Sequence, residues 1–537
     1  MGQLSFDAVI FDLDGVITKT ALVHGTAWKE AFDEYLQLRE KRDGESFREF
    51  THENDYLPHV DGKPRYEGVK SFLESRDINI PFGDPSDPPE KETVCGIGNR
   101  KNKKFLELLE KKGPEVYSST VKFMRDLKAR DVRIGVASSS KNCRQIIKAA
   151  GIEDLFETRV DGVVSDELGL KGKPEGDIFE TAALNVGSTP AKSVVVEDAT
   201  SGVLAGRNGA FGLVLGVARE GNEEALFYNG ADVVVPDMEY IDPEWIERWF
   251  RKKPRSLFDC WDLDQKVSTP LHEMQKENLA INPCYFKSGR EAIFNGRKPM
   301  FFLDYDGTLT PIVDRPELAV ISEEMRDVVR RIAEKYTVAI VSGRSKEVVE
   351  DLVRLKDIFY VGDHGVDIKG PGVSMIYPRA REAMEVLAAS AKSVSERLGD
   401  IPGLLIEAKG FSVSVHYRLV EEKHLNQIAK TVNSEVKGND RLRLMFGKKV
   451  LEIIPAIDWD KGKAVRWIMR ALGFSGDSVS VIYIGDDTTD ENAFRIVRTR
   501  GTPILVSEES QVSAADFQVD TPKDVRNLLI KVLEAKI

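Results

Sequence analysis

Several common features are missing from this sequence. No run of apolar residues approaches the roughly 18 that a transmembrane helix needs, so the sequence predicts no membrane span. The first acidic strand begins near Asp7, which leaves no room for a signal peptide. The four cysteines lie far apart without CxxC spacing, which argues against a zinc site or a disulfide framework. We therefore expect a cytoplasmic protein with reduced thiols.

A basic surface and a nucleotide loop are also missing. The net charge is −12 at pH 7, which argues against nucleic acid or an anionic membrane as a partner. The GxxxxGK[ST] loop of many nucleotide-binding enzymes is absent, which argues against a kinase. The 537 residues, of which 42% are hydrophobic and 31% charged, are typical of a globular protein with at least two domains. Nothing in the sequence predicts an oligomeric state.

An apolar run ends in two carboxylates in the segment FFLDYDGTLT, residues 301–310. We predict a strand that ends at Asp304, after which Gly307 lets the chain turn away from Asp306. Two carboxylates this close repel each other unless a cation lies between them, and Mg²⁺ prefers such oxygen ligands. One carboxylate could attack phosphorus while the other serves as general acid and base.

A second copy of this pattern, FDAVIFDLDGVIT, occupies residues 6–18 and places Asp12 and Asp14 in the same relation. Two copies about 290 residues apart are difficult to explain as solvated acidic turns. Both resemble the first motif of the haloacid dehalogenase-like (HAD) phosphotransferases. The resemblance implies a nucleophilic aspartate, an acid/base aspartate and a bound Mg²⁺ in each half.

In the first half, further polar residues follow predicted strands. Ser138 follows a buried strand, Lys173 precedes a helix, and the pair Glu197 and Asp198 ends another strand. Strands that alternate with helices predict a parallel sheet with its ligands at the carboxyl ends of the strands. A nucleophile, carboxylates for Mg²⁺, a hydroxyl and an ammonium form a complete set for phosphoryl transfer.

Residues 5–235 resemble the β-phosphoglucomutase family and its hydrolase relatives. The resemblance implies that His24 positions Asp14, and that a further group holds the distal phosphate or the hydroxyls of a sugar phosphate. That group consists of Arg65, Lys101, Ser140, Lys141 and Asn142. Whether this half is a mutase or a phosphatase stays open at this point.

The second half repeats the order of these elements with a different spacing. Ser342, Lys461 and Asp486 follow Asp304 as hydroxyl, ammonium and acidic strand end. The distance from the nucleophile to the last acid is similar in the two halves, but the long insertion follows the first motif in one and the hydroxyl motif in the other. The expected fold class is therefore α/β with two HAD-like Rossmannoid cores, parallel sheets with flanking helices. The first carries a helical cap and the second an α/β cap.

The second insertion contains a polar stripe. Residues 404–418 alternate as in a strand, which places Ser412, Ser414, His416 and Arg418 on one face. Because this insertion would cover the active site, we expect the stripe to face the substrate.

Residues 297–537 resemble the trehalose-6-phosphate phosphatases. The resemblance rests on LDYDGTLTPIV, VSGR, GDHG, IEAKGFSVSVHYR, GKKVLEIIP, DWDKGKA and GDDTTDENAF. It implies that Asp486 binds Mg²⁺ together with Asp304 and Asp306, with support from Asp490. The implied sugar contacts are Arg344, His364, Glu407, Lys409, His416, Arg418 and Glu452.

We therefore expect a mutase-like domain over residues 1–240 with a cap at about 19–112, a packed connector over 241–296, and a phosphatase domain over 297–537 with a cap at about 377–457. The expected substrate of the second domain is trehalose 6-phosphate, and the association with trehalose metabolism suggests a glucose phosphate for the first. Two alternatives remain at this stage. The first domain could be a non-catalytic regulatory module, and the second could act on another sugar phosphate.

Overall fold

The computed structural model of the protein describes residues 4–44, 46–61, 63–219, 221–261, 270–294, 297–313, 315–437, 439, 441–447, 449–474, 479–498 and 501–535. The chain forms two compact units. Unit 1 comprises Met1–Arg251 and Ser268–Tyr285, and unit 2 comprises Lys252–Val267 and Phe286–Ile537.

The strands, numbered along the chain, are β1 Ala8–Phe11, β2 Arg133–Ala137, β3 Thr158–Val160, β4 Ser193–Glu197, β5 Leu213–Val217, β6 Val233–Val235, β7 Arg255–Ser256, β8 Ala280–Ile281, β9 Lys298–Asp304, β10 Thr337–Val341, β11 Phe359–Gly362, β12 Asp367–Gly370, β13 Val373–Ile376, β14 Leu405–Lys409, β15 Ser412–His416, β16 Leu442–Gly447, β17 Val450–Pro455, β18 Val479–Gly485, β19 Gly501–Val506 and β20 Phe517–Val519.

The α-helices are α1 Thr20–Asp43, α2 Leu57–His59, α3 Arg65–Ser75, α4 Val94–Lys112, α5 Ser118–Lys128, α6 Cys143–Ala149, α7 Gly162–Leu168, α8 Asp177–Asn185, α9 Thr200–Asn208, α10 Glu223–Tyr228, α11 Pro243–Phe250, α12 Pro270–Met274, α13 Gly289–Phe294, α14 Glu323–Ala333, α15 Lys346–Val353, α16 Pro378–Arg381, α17 Met384–Leu398, α18 Leu425–Lys437, α19 Lys461–Ala471, α20 Glu491–Val497 and α21 Pro522–Glu534. Within the described residues, no helix combines the length and the apolar composition that a bilayer crossing requires.

Unit 1 is built on a sheet with the strand order β3-β2-β1-β4-β5-β6-β8. All pairs are parallel except that of β6 with β8. Its central strands are rich in valine and buried on both faces, as expected where helices cover a parallel sheet. Phe11 lies opposite Val136 and Val196, so the chain segments that follow β1, β2 and β4 meet at one edge.

Helices α1 to α4 lie between β1 and β2 and have an apolar core of their own. Trp28, Phe32, Phe50 and Phe72 are buried in it, with ring centroids 4.1–5.1 Å apart between neighbours. Because this core excludes water independently of the sheet, the insertion forms a separate small domain above the carboxyl ends of the strands.

Unit 2 contains a sheet with the strand order β13-β12-β11-β10-β9-β18-β19-β20-β7. Strands β11 to β13 pair antiparallel at one edge, and the others are parallel. A second, antiparallel sheet β14-β15-β17-β16 and helices α16 to α18 lie between β13 and α19, and we call residues 378–455 the sheet insertion. The predicted class of two α/β Rossmannoid cores is confirmed.

The connector contributes to both units. Strand β7 pairs with β20 in unit 2, and strand β8 pairs with β6 in unit 1. Asp242 caps α11 by accepting the Trp245 N–H at 2.7 Å, and Pro243 occupies the first turn, where its missing N–H costs nothing. Within the described part of residues 241–296, one short strand thus extends the sheet of unit 1 and another extends the sheet of unit 2.

A buried polar cluster completes unit 1 at the connector. Asp232 accepts hydrogen bonds from the Arg207 guanidinium, from the Tyr285 hydroxyl and, at 2.8 Å, from the Val214 N–H. Arg207 is 2%, Tyr285 1% and Asp232 0% exposed. Removal of the carboxylate therefore leaves a buried guanidinium without its counter-ion.

We predict that Asp232→Ala lowers the free energy of unfolding of unit 1 by about 3–5 kcal/mol, the usual cost of breaking a buried ion pair from one side. Glu49→Ala, which breaks the ion pair with Lys29 where the two side chains are 64% and 47% exposed, should cost less than about 1 kcal/mol. Urea unfolding of the full chain measures both, and equal effects would contradict the prediction.

Candidate active sites

Both cores carry the same arrangement at the carboxyl ends of their central strands. In unit 2, the Lys461 ammonium lies 2.7 Å from Asp304 Oδ1 and 2.7 Å from Asp490 Oδ1. In unit 1, the Lys173 ammonium lies 2.6 Å from Asp12 Oδ1 and 2.5 Å from Glu197 Oε1. In each unit, a buried lysine thus joins the predicted nucleophile to a second acid that comes from the strand β4 or follows β18.

The glycine of each first motif is required by an approaching carboxylate. Gly15 and Gly307 have φ of +87° and +80°, and a Cβ at either position would lie about 2 Å from an oxygen of Asp198 or Asp486, respectively. Any side chain here would displace that carboxylate. The glycine therefore allows both the turn of the chain and the close approach of the Asp198 or Asp486 carboxylate.

The donor set of unit 2 fits a divalent cation. Asp304, Asp486 and Asp490 offer oxygen atoms that all lie within 4.8 Å of one another, and all three residues are buried. Burial raises the pKa of Asp304 well above its usual value, and Asp490 and Asp486 add to the rise while Lys461 opposes it. Three buried carboxylates beside one ammonium leave two negative charges, which a hard divalent cation would balance.

Asp490 is held from several sides. Tyr483 donates to Asp490 Oδ1 at 2.6 Å, and the N–H groups of Asp486 and Asp487 donate to Asp490 Oδ2 at 3.1 Å. These bonds orient the turn that carries Asp486. Asp490 thus lies in the same cluster as Asp304 and Asp486, and its support of a metal site stays a prediction. The contact of Tyr483 with Asp490 was not predicted; the position of Tyr483 two residues before Gly485 on β18 is the signal that could have indicated it.

Asp306, the predicted acid/base group, forms a two-pronged ion pair with Arg344. Arg344 Nε lies 2.7 Å from Asp306 Oδ2, and its Nη2 lies 2.7 Å from Asp306 Oδ1. Ser342 is buried, and its Oγ accepts the Arg344 N–H at 3.1 Å. Arg344 is predicted to contact the sugar, which stays a prediction; in the structure its guanidinium holds the Asp306 carboxylate.

A cavity of about 190 Å³ lies above Asp304 in unit 2. The predicted residues that line it are Asp304, Asp306, Arg344, His364, His416, Arg418, Glu452, Lys461 and Asp486. Ser342, Glu407 and Asp490 are not among the residues that line it, but each contacts one that does: Ser342 contacts Arg344, Asp490 contacts Lys461, and Glu407 contacts His416 at 2.9 Å. The side chain of Lys409 falls outside the described part of the chain.

In unit 1, a larger cavity of about 490 Å³ lies between the sheet edge and the helical insertion. All predicted residues of the first half line it: Asp12, Asp14, His24, Arg65, Lys101, Ser138, Ser140, Lys141, Asn142, Lys173, Glu197 and Asp198. Glu197 is engaged by Lys173 and by the Ala199 N–H at 2.7 Å, as Asp490 is in unit 2.

Two residues at the start of α1 contact Asp14. The Thr20 hydroxyl donates to Asp14 Oδ1, and His24 Nε2 lies 3.5 Å from the same oxygen. Burial alone would raise the pKa of Asp14, but His24, Thr20 and Lys101 outweigh it and lower the pKa. His24 thus lies beside Asp14, and its role in positioning this carboxylate stays a prediction. Thr20 was not predicted, although it lies only six residues after Asp14.

Asn102 is a second residue to which the sequence analysis assigned no role. Its Oδ1 accepts from Arg65 Nη2 at 2.7 Å and from Asn142 Nδ2 at 2.9 Å. It thus joins a helix of the insertion to the loop that follows β2. The signal available was its position next to Lys101 on α4.

Lys101 lies between the rings of Trp28 and Phe105, with its ammonium 4.8 and 5.0 Å from their centroids. Burial lowers its pKa to about 7, and the nearby Arg65 adds to the shift. Between about pH 7 and 10 the unfolded chain therefore binds more protons than the folded one, so this group makes stability rise with pH in that window.

We predict that Lys101→Met stabilises unit 1 relative to the wild type more at pH 6 than at pH 9.5, because only the protonated lysine is penalised by burial. Lys104→Met is the control, since this lysine lies on the same helix and contacts Glu34 at 3.1 Å. Thermal unfolding at the two pH values measures the differences. A pH-independent effect of Lys101→Met would contradict the prediction.

Comparison with known proteins finds a family model for each half of the chain. The sequence model of trehalose-phosphatases matches residues 302–523, and that of haloacid dehalogenase-like hydrolases matches residues 6–209. A trehalose 6-phosphate phosphatase of Zea mays is 40% identical over 308 residues, which cover 54% of this chain and 82% of that protein. A probable trehalose-phosphate phosphatase of Oryza sativa is 41% identical over 267 residues, or 45% of this chain and 71% of that protein.

Two uncharacterized glycosyl hydrolases from strains of Mycobacterium tuberculosis match nearly the whole chain, at 35% identity over 531 residues and 97% coverage. The chain spans 38% of the length of these two proteins. Both halves of the present chain thus occur together in longer relatives. The chain carries a haloacid dehalogenase-like hydrolase segment ahead of its trehalose-phosphatase segment, and it belongs to the trehalose-phosphatase family.

Proposed function

We propose that unit 2 hydrolyses trehalose 6-phosphate to trehalose and phosphate. The observation that carries this proposal is the Asp304–Lys461–Asp490 group beneath a cavity whose other wall is the polar face of the sheet insertion. The Asp304–Lys461–Asp490 group supplies a phosphoryl-transfer site, and the sheet insertion supplies carboxylate and imidazole groups for sugar hydroxyls. The family relatives support the same substrate.

The reaction has two steps. Asp304 attacks phosphorus, so a bond from its carboxylate oxygen to phosphorus forms while the bond to the 6-oxygen of the sugar breaks. Asp306 gives its proton to the departing oxygen. Asp306 then takes a proton from a water molecule, which attacks the aspartyl-phosphate, releases phosphate and restores Asp304.

Each of the surrounding residues has a defined task in this proposal. Lys461 and Ser342 stabilise the charge on the transferred group, and Arg344 fixes the Asp306 carboxylate. Asp304 and Asp486 would hold Mg²⁺, which, when bound, balances negative charge on the phosphoryl oxygens. His364, Glu407, Lys409, His416, Arg418 and Glu452 are the proposed sugar contacts.

We predict that Asp304→Asn lowers phosphate release from trehalose 6-phosphate by about 10³-fold or more, since it removes the nucleophile. Asp12→Asn, the matching change in unit 1, should leave this rate within about twofold. EDTA should abolish the activity and Mg²⁺ should restore it. If Asp304→Asn stays active, or the wild type does not act on this substrate, the proposal fails.

We propose further that unit 1 transfers the phosphoryl group of a glucose phosphate through Asp12. Its complete set of acids supports catalysis rather than a purely regulatory role, because Asp12, Lys173 and Glu197 are joined as their counterparts are in unit 2. Across the cavity lie cationic side chains, Arg65, Lys101 and Lys141, which suit a second anionic or hydroxyl-rich end of the substrate.

The full-length Asp304→Asn variant tests this activity without interference from unit 2. We expect it to convert glucose 1-phosphate, as either anomer, into glucose 6-phosphate or into glucose and phosphate; the product distinguishes a mutase from a phosphatase. The double variant Asp12→Asn with Asp304→Asn should lose either product. Absence of both products from the single variant on a panel of glucose phosphates would support a regulatory module instead.

A further inference from the structure

The face of the sheet insertion that looks toward Asp304 carries a row of paired side chains. In the antiparallel register, Ser414 lies directly between Glu407 on β14 and Glu452 on β17. The opposite face of the same strands is apolar and packs beneath α17 and α18, with Val413, Val415 and Ile453 in its core. The alternation of strand residues therefore fixes which side chains reach the cavity.

Ser414 donates a hydrogen bond to one of these two carboxylate neighbours, Glu452. Its Oγ donates to Glu452 Oε1 at 2.7 Å, and Ser414 itself is 0% exposed. Glu407 instead contacts His416, at 2.9 Å. A buried hydrogen bond to a charged acceptor holds a side chain in one orientation more firmly than a neutral one.

The other oxygen of Glu452 reaches the core. Glu452 Oε2 lies 2.8 Å from His364 Nε2, and His364 follows β11 in the core sheet. The chain of contacts Ser414–Glu452–His364, which we call the bridge, thus joins the sheet insertion to the core across the cavity. Glu452 is 8% exposed, so water competes weakly for its oxygens.

The core end of the bridge is held in an unusual backbone conformation. His364 has a φ of 56°, in the left-handed region that non-glycine residues rarely adopt. Its ring lies so close to Gly343 that a Cβ there would be 2.5 Å from His364 Cε1. The imidazole thus reaches Glu452 from a strained backbone conformation and in close contact with Gly343.

We infer that Ser414 is a positioning residue that determines sugar specificity by holding Glu452 in the bridge. The inference rests on the proposed function of unit 2, since Glu452 is a proposed contact of the sugar. The bridge would align the carboxylate with the sugar hydroxyls and hold the insertion closed over the phosphoryl group. Hydrolysis of a substrate without a sugar would not depend on this alignment.

The strand offers a matched control at Ser412. Ser412 precedes Ser414 by two residues, lies on the same face and is also 0% exposed, but its Oγ has no hydrogen-bond partner. Ser412→Ala and Ser414→Ala thus remove the same hydroxyl from the same side of β15. Only the second change removes a donor to Glu452.

We predict that Ser414→Ala raises the KM for trehalose 6-phosphate about tenfold, the effect of one lost bond to a charged group. Its kcat/KM for p-nitrophenyl phosphate should stay within about twofold of the wild type, and Ser414→Thr should recover part of the KM. Ser412→Ala should raise the KM for trehalose 6-phosphate much less than Ser414→Ala does, because it removes no hydrogen bond to Glu452. Equal effects of the two alanine variants, or an equal loss on both substrates, would overturn the inference.

A measurement without substrate separates this inference from the proposed function. In the full-length protein, Ser414→Ala should speed amide hydrogen exchange in residues 449–455, whereas Ser412→Ala should not, because only the former releases Glu452 from the bridge. A wild type that does not hydrolyse trehalose 6-phosphate would refute the proposed function alone. Unchanged amide exchange in Ser414→Ala would refute the positioning role of Ser414, whichever substrate unit 2 uses.

Discussion

The buried lysine between two carboxylates is the interaction on which each core depends. Lys173 and Lys461 are both less than 6% exposed, and a lone ammonium at such a depth would be strongly disfavoured. Burial alone would lower the pKa of Lys461, but Asp304 and Asp490 outweigh it and raise the pKa. The charged lysine in turn keeps the nucleophilic carboxylate in place. Neither partner could be buried without the other.

This constraint explains the strand order around each site. The predicted nucleophile ends or directly follows one central strand, and the second acid ends or follows its parallel neighbour, β4 beside β1 and β18 beside β9. The lysine comes from the first residue of a helix in unit 2 and from just before a helix in unit 1. Because parallel strands end at the same edge, groups that are more than 150 residues apart meet without any long loop. The insertions are free to differ because they enter outside this shared geometry.

The sequence was sufficient to predict the two cores and most of the side chains at their strand ends. Strand ends are visible as apolar runs that stop at Asp12 or Asp304, and a parallel sheet then brings them together. Contacts that depend on register or rotamer were not predictable in this way. Nothing in the sequence indicates that Arg344 pairs with Asp306, and the two-residue strands β7 and β8 are too short to show any periodicity.

The two insertions present different side chains to their cavities. Helix α4 presents Lys101 from a packed aromatic core, where a cation is costly unless an anion approaches, so that cavity favours a substrate with charge at its far end. The sheet insertion instead presents alternating carboxylates, hydroxyls and imidazoles, including Glu407 and Glu452, which suit neutral hydroxyl groups and repel a second phosphate. Under the proposed functions, selectivity thus lies in the insertion, and the phosphoryl chemistry lies in the sheet below it.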